Sequence, residues 1–139
     1  MRSVVMGVGS EFRGDDSVGP EVIKSMVNMR AKNVLFIATQ MPENFVSKIA
    51  DFRPDQLIVI DSADFGARPG EFRIVDKKLI DSTFLSTHHL PLTVFMKESG
   101  CKKIVFIAVQ YKTARFGSRM STEVKSSVDE IKKLVETLI

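Results

Sequence analysis

Val4-Val5-Met6-Gly7-Val8-Gly9-Ser10-Glu11-Phe12-Arg13-Gly14-Asp15-Asp16 opens as an apolar run and passes into a glycine loop. A helical pattern beginning at Val18 follows. This is the strand, glycine loop and helix layout of a nucleotide site in an α/β protein. Gly9 and Gly14 have the spacing of the phosphate-binding motif G-x-x-x-x-G-K-[ST], but Asp15 and Asp16 stand where its lysine and hydroxyl residue belong. Two carboxylates repel a triphosphate and attract a metal cation or a basic group. The stretch therefore predicts an α/β fold whose first loop suits a ligand other than phosphate.

Further runs of the same kind lie downstream, at Val34 to Ala38, Leu57 to Ile60 and Ile104 to Val109. Continuous apolarity predicts strands buried on both faces, as in a parallel sheet covered by helices. Glu71 to Asp76 alternates instead, with Phe72 and Ile74 opposed to Glu71 and Arg73, and predicts an edge strand entered through the turn pair Pro69-Gly70. Helical phases join these runs. Val18, Val22, Met26 and Met29 share one face, with Ile23 alongside. A second helix, opened by Pro42 and Glu43, carries Phe45, Val46, Ile49 and Phe52. A short third follows Pro91 and ends at Gly100. The last has Ser121 as its N-cap, with Val124, Val128, Ile131, Val135 and Leu138 on one face. The order β-α-β-α-β-β-α-β-α predicts one domain, residues 1–139, built as a three-layer α/β/α sandwich with one antiparallel edge strand.

The bulk properties agree with this and exclude several classes. The chain has 139 residues, 44% of them hydrophobic and 27% charged, enough for a real core in an ordinary globular protein. A formal charge of +3, no tryptophan and the single Tyr111 give no basis for nucleic-acid binding. Cys101 is the only cysteine, so no intrachain disulfide forms. No apolar run is long enough for a signal peptide or a membrane span, and the expected setting is the cytoplasm.

Ligands in such sheets bind beyond the carboxyl ends of the strands. Glu11 to Asp16, Asp61 to Asp64 and Tyr111 to Arg119 follow three of the predicted strands, and His88 and His89 precede the third helix on the same edge. Asp15 or Asp16 could simply cap the first helix, though capping accounts for one carboxylate and not two. Asp61 could be a turn-forming carboxylate at a strand end. The histidines could bond backbone carbonyls, and neighbours in an extended segment point opposite ways, so one of them faces a given site. Cys101 falls at the opposite edge and reads as structural, and no G-x-S-x-G elbow marks a serine hydrolase. Asp16, Asp61 and one histidine form an oxygen and nitrogen set suited to zinc, nickel or ferrous iron, with positions left open for substrate.

The blocks Gly7-x-Gly9 with Gly14-Asp15-Asp16-x-x-Gly19-Pro20, Arg53 to Asp64 with Pro69-Gly70-Glu71, Ser86 to Leu92, and Pro42-Glu43-Asn44 together resemble the [NiFe]-hydrogenase maturation endopeptidases. Ser86-Thr87-His88-His89-Leu90-Pro91-Leu92 looks most like the branch serving formate-hydrogenlyase and related energy-converting hydrogenases. The resemblance spans nearly the whole chain. It implies a twisted, mostly parallel five-stranded sheet between helices. It also implies removal of a C-terminal extension from the hydrogenase large-subunit precursor after nickel insertion. The family's metal-contacting groups fall on Asp16, Asp61 and His88, selecting His88 over His89. Nickel would then come from the substrate and bind the free enzyme weakly. Ser10, Ser17 and Tyr111 depart from the family's usual asparagine, glycine and proline, all in loops flanking the site. The basic loop carrying Lys112, Arg115 and Arg119 is a candidate to hold the precursor tail, against its ordinary reading as a solvated loop. The rival reading, from a different class, is a non-catalytic flavodoxin-like module binding a nucleotide or partner at the same edge.

Overall fold

The computed structural model describes residues 1–29, 31–75, 85–86 and 97–139. Strands β1 (Ser3–Val8), β2 (Val34–Thr39), β3 (Gln56–Asp64), β4 (Phe72–Val75), β5 (Leu85–Ser86) and β6 (Lys103–Gln110) form one sheet. Its order is β2-β1-β3-β6-β4, with β5 attached to the end of β3. β1, β2, β3 and β6 pair in parallel, and β4 lies antiparallel against β6 as the edge strand. The apolar runs thus become the parallel centre and the alternating run becomes the antiparallel edge. The two-residue β5 is an addition that its own short sequence does not signal.

The strands alternate their side chains between two cores, which is what makes the fold three-layered. Val4, Met6, Val8, Leu57, Val59, Phe106 and Ala108 face one side, where Ile49 of α2 (Val46–Phe52) closes over them. Val5, Ile58, Ile60, Ile107 and Val109 face the other, under α1 (Val18–Met26) and α3 (Thr122–Leu138). Each fully buried isoleucine or valine contributes about 1.5–3 kcal/mol relative to an exposed one. α1 buries Val18, Val22, Ile23 and Met26, and α3 buries Val124, Ile131 and Val135, as their helical spacing predicts. Among the described residues, no helix is long and apolar enough to cross a membrane.

One sequence expectation changes in detail. β3 continues through Asp64, so Asp61 to Asp64 are strand residues and not the loop after it. Their partners explain why: Asp61 to Ala63 pair with Ala108 to Gln110, and Ala63 and Asp64 pair with β5. On β4, Ile74 is 52% exposed while Val75 is buried, because the helices do not extend over the far side of this edge. The helix expected after Pro91 shows only its end, at Lys97 and Glu98; Leu92, Phe95 and Met96 lie outside the described residues. The turn into β4 forms as expected. Glu71 N–H donates to Arg68 O at 3.0 Å, with Pro69 and Gly70 (φ 90°) at the two central positions of a type II turn.

Candidate active site

The glycine loop leaves β1 at Val8, whose register partners are Thr39 on β2 and Asp61 on β3. It therefore emerges at the carboxyl edge of the parallel strands. Gly9 lies against the backbone of Asp16 so closely that a Cβ there would overlap the Asp16 carbonyl oxygen. Gly14 to Ser17 form one 3-10 turn that runs straight into α1. Both aspartates are buried inside this turn, at 0% and 2% exposure, and neither is the N-cap of a helix. The capping alternative is thereby removed. Arg13 and Ser17 hold the cap positions, and neither makes a side-chain capping bond.

The two neighbours do different work. The Asp15 carboxylate accepts from Lys112 N–H (2.8 Å), Thr113 N–H (3.1 Å), Ser121 N–H (2.6 Å) and the Ser121 hydroxyl (2.9 Å). Its own N–H donates to Thr113 O at 2.8 Å. Asp15 thus ties the loop after β6 and the start of α3 to the glycine loop. It is an internal anion occupying backbone amides, and buried carboxylates need such donors to stay charged. Asp16 turns toward the strand ends. Its Oδ2 accepts from Ser10 N–H at 2.9 Å and its Oδ1 from the Ser62 hydroxyl at 2.7 Å.

Ser62 is the site residue that sequence reasoning missed. It is adjacent to Asp61, and a hydroxyl at a strand end beside two candidate carboxylates was the available signal. Asp61 is itself fully buried. By strand alternation it shares a face with Leu57, Val59 and Ala63, whereas Ser62 shares the face of Ile58 and Ile60 with α1. The two carboxylates thus come to the same edge from opposite layers of the sandwich. Ser86 pairs with Ala63, so the chain enters the segment bearing His88 and His89 from beside this end of β3. Both histidines lie outside the described residues. Among the described residues there is no group of three histidine, cysteine, aspartate or glutamate side chains disposed to hold a metal.

A groove of about 430 Å³ opens at the ends of β1 and β2, lined among others by Gly9, Phe12, Thr39 and Met41; Gly9 adjoins the buried Asp16. In the basic loop, Lys112 is committed to an ion pair with Glu123 at 2.8 Å, which raises the lysine pKa and lowers that of the glutamate. Cys101 sits at the amino ends of the strands, as expected. Its thiol contacts Pro54 O and Lys103 O, and burial pushes its pKa up.

Comparison with known proteins gives a consistent assignment. Residues 20–138 match the family model described as HycI, hydrogenase maturation protease. The chain is 29% identical over 140 residues to the Hydrogenase 3 maturation protease of Escherichia coli, covering 98% of this chain and 90% of the relative. It is 33% identical over 148 residues to a putative hydrogenase maturation protease of Methanocaldococcus jannaschii, covering 98% and 85%. The solution structure of endopeptidase HycI from Escherichia coli superposes with a TM-score of 0.87 at 27% identity, covering 99% and 90%. The crystal structure of the [NiFe] hydrogenase maturation protease HycI from Thermococcus kodakarensis gives 0.84 at 30% identity, covering 98% and 90%.

Proposed function

The chain belongs to the hydrogenase maturation protease family, whose members are peptide hydrolases, and on that premise we propose that it removes the C-terminal extension of a [NiFe]-hydrogenase large-subunit precursor. In this reading the precursor's own nickel is the recognition element. Asp16, Asp61 and His88 contact that nickel as part of the substrate, and the cytoplasm is the setting the reading implies. Bound there, the metal would supply Lewis-acid polarisation of the scissile carbonyl or of a water, and Asp16 or Asp61 would be placed to accept the water proton.

The observation that carries the reading is the pair of buried carboxylates, Asp16 and Asp61, brought to one strand edge from two layers. Burying two carboxyl groups there is costly unless a ligand or hydrogen bonds compensate. The nucleotide-binding alternative loses its support at Asp15, whose carboxylate already occupies amides of the kind a phosphate would need. The test is incubation with nickel-loaded and nickel-free candidate precursors, followed by intact-mass measurement. Loss of the C-terminal extension from the nickel-loaded form alone is the expected result. Cleavage of neither form would refute the reading, and equal cleavage of both would remove nickel as the recognition element.

A further inference from the structure

The groove at the ends of β1 and β2 has properties that the carboxylates alone do not require. Its Gly9 wall is shared with the site: a Cβ on Gly9 would stand 3.5 Å from the Asp16 Cγ, and the next amide, Ser10 N–H, holds Asp16 Oδ2. Its rim carries two large apolar side chains in contact with solvent, Phe12 at 64% and Met41 at 52% exposure. The two line one groove, where an apolar side chain entering between them would be removed from water. The rim is also held in place. Phe12 N–H donates to the Ser10 hydroxyl, and Phe12 O accepts from Gly117 N–H at 2.8 Å. Met41 N–H donates to Thr39 Oγ1 at 2.9 Å, and the Asn44 amide approaches the Met41 sulfur at 3.8 Å. A rim fixed in advance loses little entropy on binding.

The charge of the groove narrows the occupant. Among the described residues, Glu11 is the one charged residue in its lining, and it is paired with Lys24 at 2.8 Å. A strongly acidic or basic segment has no counterpart there, whereas an apolar side chain does. Resting on the proteolytic reading above, we propose that this groove is the subsite for an uncharged, apolar side chain of the precursor adjoining the scissile bond, gripped between Phe12 and Met41. Phe12 and Met41 are then specificity-determining residues, and Asp16 lies next to the bond they position.

The experiment compares wild type, Phe12→Ala, Met41→Ala and Ile74→Ala on full-length precursor prepared with and without nickel. Ile74 is an equally exposed apolar side chain on the remote edge strand and serves as the control. Steady-state cleavage of the nickel-loaded form should show KM raised about tenfold in the Phe12 and Met41 variants, with kcat within about twofold and the control unchanged. Replacing the precursor's apolar residue at the cleavage site by aspartate should weaken the wild type similarly, and Phe12→Ala should then add little, because the two changes remove one contact. Binding of fluorescently labelled, nickel-loaded precursor, followed by anisotropy before cleavage sets in, reads the groove apart from chemistry. Unchanged KM in both groove variants, or effects fully additive with the precursor substitution, would overturn the subsite and leave the proteolytic reading intact. Binding weakened by Phe12→Ala, with no cleavage by wild type, would retain the groove and overturn the proteolytic reading. No binding by wild type would overturn the groove.

Discussion

At residue scale, Asp15 and Asp16 bond in different directions from two consecutive positions, Asp15 to the loop after β6 and Asp16 to Ser10 and Ser62. Asp15 accepts from two amides of the loop after β6 and from both donors of Ser121. Asp15→Asn keeps the size but puts an amide donor against these donors, so a loss of about 2–3 kcal/mol is expected, measured as a lower urea midpoint. Asp16→Asn should keep the fold, read by circular dichroism, while cleavage is lost. Full activity in Asp16→Asn would remove it from the proposed site. The histidines give a second comparison. His88→Ala should reduce processing by roughly a hundredfold or more, and His89→Ala should retain most of it. Equal losses would contradict the assignment that the family resemblance implies. The glycine loop itself was legible because its charge is wrong for phosphate. The division of labour was not, since both aspartates are compatible with either role until their partners, nearly a hundred positions away for Asp15, are known.

At the scale of elements, α3 is where local sequence and tertiary contact agree best. Ser121 accepts from Val124 N–H as its capping position predicts, and the same hydroxyl donates to Asp15. Glu123, in the first turn, bonds Lys112 across the loop, and this contact first and Thr122 second hold its carboxyl below the ordinary value of 4.5. A depressed folded-state pKa stabilises the fold above the unfolded value and ceases to do so as pH falls through the folded one. Both side chains are exposed, so the contribution is small. Glu123→Gln should therefore lower the urea midpoint slightly near neutrality and flatten its pH dependence from about 4.5 downward, where the two proteins converge. An identical acid profile in the variant would show that the pair contributes nothing. Strand identity was legible because the middles of doubly buried strands are continuous apolar runs. The end of β3 was not, because Asp61, Ser62 and Asp64 read as a turn, and only pairing with β6 and β5 keeps them extended.

At the scale of the whole molecule, the sheet separates its two ends. Cys101 lies before β6 at the amino ends, while the candidate site lies at the carboxyl ends. Cys101→Ser should leave cleavage unchanged, and the burial-raised thiol should alkylate slowly at neutral pH in the native protein. Inactivation by the serine variant would contradict the separation. The proposed use of substrate nickel also predicts that protein purified without chelators contains little metal by elemental analysis. A tightly held stoichiometric metal, with cleavage of nickel-free precursor, would point to an ordinary metallopeptidase instead.

The amino-acid sequence by itself determined the layers, the parallel centre, the antiparallel edge and the carboxyl-edge position of Asp16 and Asp61. Those features follow from hydrophobic periodicity and connection order, which are local and repeated along the chain. Only the tertiary structure decided that Asp15 is a clamp, that Ser62 holds Asp16, and that Phe12 and Met41 frame a groove at the ends of β1 and β2. Such facts depend on which side chains meet across long separations, and a pattern of single residues carries no term for that. The same limit applies to Ile74, which lies 52% exposed on the edge strand that its alternating run predicts. Alternation gives the face of a strand, whereas the neighbouring layer decides whether that face is covered.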